Sequence, residues 1–249
     1  RGLGDVYKRQ VGGKSRLFED FLGGRWVSQV QGNMALESGS FFSNVGLERV
    51  FTVEAANSDV FFGVWWDYDD DQQGSFGHTF NQIGVSGGIK SELYDVYANG
   101  YLPSGSTSYT QGDITGSSVF FANSVVTQAG IDSALEGFDF HIVSRPQQLA
   151  FMNTYVDVGG YAYGSDVVDT FAGFSLGGGI QTLRGMGLGI QVNHDSRFEW
   201  TGALQVAWEF GARGARTEYS PLGRDLEPTR RNDHIAVSYT HLTLPTMQV

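Results

Sequence analysis

The sequence predicts an all-β fold, a closed antiparallel transmembrane β-barrel of about twelve strands. Three observations carry that expectation: a composition of strand and turn formers, apolar residues at every second position, and segments long enough to cross a bilayer. The 249 residues include 35 Gly, 14% aromatic and only 17% charged residues, which disfavours long helices. No run approaches the roughly 18 uninterrupted apolar residues of a membrane helix. A barrel hides its lipid face in alternate positions and needs no such run.

Read with a period of two, residues 24 to 211 divide into about eleven segments separated by turn formers. The strands are expected near 24–36, 41–53, 59–68, 79–89, 92–102, 117–128, 133–143, 150–163, 169–181, 186–193 and 199–211. In the last of them Trp200, Gly202, Leu204, Val206, Trp208 and Phe210 share one face, opposite Glu199, Thr201, Ala203, Gln205, Ala207 and Glu209. Elsewhere Val96, Val156, Val158, Leu188 and Ile190 fall on apolar faces, and Asp95, Tyr97, Asn99, Tyr155 and Asp157 on polar ones. The apolar set is expected to face lipid and the polar set a lumen. A soluble β-sandwich also alternates. Segment length favours the barrel, because about 9 to 11 tilted residues cross a bilayer, whereas ordinary strands have a mode of about 5 to 6.

Charge and cysteine content exclude other classes. A net charge of −11 lacks the clustered Lys and Arg that nucleic acid requires, so no nucleic-acid partner is expected. Zero Cys removes disulfides and thiolate metal sites. Residues 1–11 and 237–249 resemble adaptor read-through at the edges of assembled environmental sequence and are set aside as non-native. That leaves 12–211 as the barrel and 212–236 as a linker or lumen plug.

The run Asp67, Asp69, Asp70, Asp71 opens like a calcium loop but offers Gln72 and His78 where Gly and Glu are needed, and is expected to be a solvated hairpin tip. His194, Asp195 and Ser196 are adjacent in one turn, and a catalytic triad needs its members to converge from separate positions. The glycines at 177–179 and 185–189 lack the strand-loop-helix context of a phosphate cradle. Tyr97, Tyr101, Tyr155, Tyr161 and Tyr163 suggest either a sugar track or a filled lumen, and a barrel of this size favours filling. No catalytic, cofactor or metal site is expected.

Specific strings add a resemblance. VFFGVWWDYDDD, then FNQIGVSGGIKSELYDVYANGYLP, LEGFDFHIV and TYVDVGGYAYG resemble, in order and spacing, the barrel of the inverse-autotransporter (intimin/invasin-type) family. LGIQVNHDSRFEWTGALQVAWEFG looks like the closing hairpin of related planctomycete-type outer-membrane barrels. The resemblance spans about residues 17 to 211. It implies an outer-membrane translocator of about twelve strands, inserted by the barrel-assembly machinery, whose linker threads the lumen to display a C-terminal passenger. On that reading Arg213, Arg216, Arg224, Arg230 and Arg231 pair with lumenal acids such as Asp95, Asp139, Asp157, Glu199 and Glu209. The accompanying Glu218, Asp225, Glu227 and Asp233 favour a solvated tail instead. A diffusion pore and a soluble extracellular sandwich are the competing readings.

Overall fold

The structure is a computed structural model that describes residues 8–18, 23–35, 41–71, 78–111, 119–121, 124–126, 128–146, 154–181, 186–208, 229–232, 235–243 and 247–248. One large antiparallel sheet dominates it. Its eleven strands, in spatial order, are β1 (Lys8–Phe18), β2 (Arg25–Ala35), β3 (Phe41–Val53), β4 (Ser58–Asp71), β5 (His78–Lys90), β6 (Tyr94–Ser104), β11 (Glu136–Ser144), β12 (Tyr155–Ser165), β13 (Val168–Gln181), β14 (Met186–Asp195) and β15 (Glu199–Trp208). Every neighbouring pair is antiparallel, so β1 and β15 run in the same direction.

The strands form because β-branched, aromatic and glycine residues alternate with polar ones, and they end at turn formers. A single 3₁₀ turn, Glu54–Ala56, joins β3 to β4, with Asn57 left-handed at φ 44°. Between β6 and β11 the chain leaves the sheet. There β7 (Ser108–Gln111), β10 (Gln128–Ala134) and β16 (Val237–Thr243) form one small sheet, and β8 (Val119–Phe121), β9 (Ser124–Val126) and β17 (Met247–Gln248) another.

One expectation changes here. Among the described residues, the strand expected at 117–128 does not join the large sheet, and the short β8, β9 and the first residue of β10 fall there instead. Its place among the eleven is taken by β1, which begins at Lys8, and Lys8–Gln10 pair with Asn33–Ala35. Residues 105–135 contain isolated apolar pairs such as Phe120 and Phe121 rather than sustained alternation, and the short strands described there pair with one another and with β16 and β17. The end residues set aside as foreign are also partly in strands, with Val237–Thr243 paired to β10.

The two faces of the large sheet differ sharply. On β4, Val60, Phe62, Val64 and Trp66 are 37–56% exposed, while Asp59, Phe61, Trp65 and Asp67 are at most 2% exposed. The sheet is strongly curved toward its buried face. In a flat sheet β1 and β12 would stand about 34 Å apart, seven strand spacings. Yet Lys14 Nζ of β1 lies 3.4 Å from Thr229 Oγ1, and the next residue, Arg230, stacks over Tyr155 of β12 at 4.3 Å.

Candidate functional site: the buried polar face

Cross-strand register organises the buried face into rows. In one row Gly46, Trp65, Gly84, Tyr101, Gly137, Tyr163 and Phe171 face one another across seven strands, aromatic alternating with glycine up to Tyr163. The glycine at 46 is required, because a Cβ there would run into the Trp65 ring. Large rings thus lie across their neighbours instead of standing up into the interior.

The adjoining row is polar. Asp67 accepts a hydrogen bond from Asn44 Nδ2 at 2.8 Å and from Gln82 Nε2 at 3.1 Å, both on in-register neighbours. Toward the opposite rim lies a run of alternating charge. Arg25 pairs with Asp59 at 2.7 Å, Lys90 stands in register between Asp59 and Asp95, and Asp95 pairs with Arg145. Lys90 also lies 5.3 Å from the Phe61 ring. In the middle, Asn99 Nδ2 and Tyr101 OH donate to Asp139 at 2.5 and 2.6 Å, and His141 Nδ1 lies 3.0 Å from Asp157. These buried charges are mutually paired, as burial requires.

A short piece of chain after β15 lies in this concavity. Thr229 donates to Glu48, which also binds Lys14 at 2.5 Å. Arg230 accepts through its carbonyl oxygen from Asn99 at 2.9 Å. Arg231 grips both oxygens of Asp67 at 2.8 and 2.5 Å. The Asn232 amide donates to Tyr101 OH at 2.7 Å and its side chain to Tyr163 OH at 3.3 Å. Four consecutive residues therefore touch β1, β3, β4, β6 and β12.

Among the residues expected on the outer face, Trp200, Leu204, Val206, Val156, Val158, Leu188 and Ile190 are 41–73% exposed, and Val96 is half-buried. Trp208 is in β15 opposite Met186. Among those expected on the inner face, Asp95, Tyr97, Asn99 and Asp157 are buried and Tyr155 is half-buried. Gln205 is exposed, on a strand that has a neighbour on one side only among the described residues. Glu199 is exposed too, because it opens β15 in the left-handed conformation, φ 57°, next to a tight turn. Phe210, Glu209, Arg213, Arg216 and Arg224 lie outside the described residues.

Two readings are corrected. The acidic run is no free tip, since β4 extends to Asp71 and Asp67 and Asp69 are 1% and 7% exposed. The signal was present in the sequence: the alternation Phe61, Gly63, Trp65 continues unbroken to Asp67 and Asp69. The expected partners of Arg231 did not include Asp67, for the same reason. His194 and Asp195 are the last two residues of β14 and do not share a turn with Ser196 as expected, and they point to opposite sides of the strand. The His194 ring stacks on Trp200 at 4.5 Å, while Asp195 accepts from the Arg197 and Phe198 amides and from Tyr161 OH.

The fold and this face define an all-β protein with one large curved antiparallel sheet, apolar residues outside and paired charges inside. No family model and no curated protein matches the chain. A solved structure described as "Unveiling the Mechanism Behind the in-meso Crystallization of Membrane Proteins" superposes on 94% of this chain and 99% of its own, with a TM-score of 0.67 and 14% identity. At that identity the likeness concerns the fold.

Proposed function

We propose that the chain is an outer-membrane β-barrel of the translocator type, anchoring and displaying a C-terminal passenger in the manner of inverse autotransporters. The observation that carries the reading is the inverted polarity of the sheet. Large apolar side chains such as Trp200, Leu204 and Val206 are 65–73% exposed, while Glu48, Asp59 and Asp95 are fully buried. Water makes such an arrangement costly, and hydrocarbon favours it. Closure follows from the same medium, because unpaired edges are not tolerated in lipid. With β1 and β15 running the same way, a twelfth strand opposed to both completes an antiparallel ring. Assembly machinery and outer-membrane lipid are the partners this reading requires.

Occupation of the concavity by Thr229–Asn232, four residues that follow β15 in the chain, supports the translocator over a diffusion pore. The full chain, refolded into lipid vesicles and fused to planar bilayers, is expected to insert and to stay mostly closed. Steady conductance from the intact chain would establish the pore instead. A monodisperse protein in detergent-free buffer would end both readings in favour of a soluble module.

A further inference from the structure

We propose that the inner wall carries a preformed guanidinium-binding cage, made by Asp67, Trp65, Tyr101 and Gly84, which Arg231 fills and which accepts other planar guanidinium groups when Arg231 is removed. The inference rests on the placement of Thr229–Asn232 and not on the membrane reading.

Each wall of the cage answers one feature of a guanidinium. Asp67 presents two oxygens to two parallel N–H groups, at 2.8 and 2.5 Å, the geometry in which arginine surpasses lysine. The Asn44 and Gln82 amides that hold Asp67 belong to neighbouring strands, so the carboxylate is oriented by the sheet and not by its ligand. Trp65 and Tyr101 lie 4.7 and 5.5 Å from the guanidinium carbon, within the range of cation–π attraction. Gly84, in register between those two rings, leaves the floor open, and a Cβ there would stand 2.6 Å from Arg231 Nη2. Asp67, Trp65 and Tyr101 are each at most 2% exposed. A flat, delocalised cation with a two-pronged donor edge fits this space, whereas a compact ammonium uses one oxygen of Asp67 and covers neither ring.

The test is calorimetric titration of the folded full-length Arg231→Ala chain, in detergent or in buffer, with ethylguanidinium and with ethylammonium as probes. Ethylguanidinium is expected to bind about tenfold or more tightly than ethylammonium, and the added Asp67→Asn substitution is expected to abolish the difference. Should Arg231→Ala fail to refold, Arg231→Lys retains a cation and is titrated in the same way, with ethylguanidinium expected to displace the lysine from Asp67. Equal binding of the two probes, no binding, or binding indifferent to Asp67→Asn would overturn the proposal. Because the titration needs no bilayer, its failure is separable from failure to insert.

Discussion

Arginine placed at Val64 is expected to weaken folding into bilayers by about 2–4 kcal/mol, roughly a thirtyfold to thousandfold change in equilibrium constant. Val64 lies near the middle of β4, 47% exposed, between Leu47 and Val85 on the neighbouring strands, themselves 42% and 39% exposed. A charge there meets hydrocarbon at its deepest point if the outer face is the lipid face. In a soluble protein an exposed valine tolerates the same change within about 0.5 kcal/mol. The effect also depends on depth. Val53, 41% exposed at the end of β3, sits at a rim, and Val53→Arg is expected to cost only about 0–1 kcal/mol. Urea titration of the variants in lipid vesicles measures both, and equal small effects at the two positions would contradict the assignment.

The second large effect is expected from the inner face. Asp95→Ala removes a fully buried carboxylate that pairs with Arg145, accepts from the Ser91 amide and Tyr97 OH at 3.2 Å, and stands in register with Lys90. Taking one member from a buried ionic network leaves its cations poorly compensated, which typically costs about 3–5 kcal/mol. Arg145 is 11% exposed, near a rim where water helps, so a loss near the lower figure is expected. Asp95→Asn keeps an acceptor for Ser91 and Tyr97 and is expected to lose less. The urea midpoint of each variant reports the difference, and an Asp95→Ala chain as stable as the parent would show that the charge row contributes nothing.

Much of the wall was legible in the sequence because its period is simple. Alternation separates Val156 and Val158 from Asp157, and Tyr97 from its outward neighbours, and no tertiary detail is needed to do so. Two things were not legible. One is pairing between distant segments: Glu48 meets Thr229, and Asp67 meets Arg231, across more than 160 residues of chain, and no local pattern specifies such partners. The other is the excursion between β6 and β11, where short strands pair among themselves and with β16 and β17. The acidic stretch after Trp66 shows how a compositional cue misleads. Four aspartates suggest water, yet their parity continues that of Trp65 and carries two of them inward. Glu199 shows the reverse case, since its parity belongs to the inner face but a turn with positive φ removes it from the wall.

The most direct measurement exploits the absence of cysteine from these 249 residues. Single cysteines at each position from 60 to 67 of β4, spin-labelled in the vesicle-reconstituted chain, are compared for relaxation by oxygen, which partitions into hydrocarbon, and by a water-soluble nickel complex. A period of two is predicted, with labels at 60, 62, 64 and 66 open to oxygen and shielded from nickel, and labels at the intervening positions shielded from oxygen. Nickel access at 62 and 64, or no alternation along the strand, would contradict the membrane assignment.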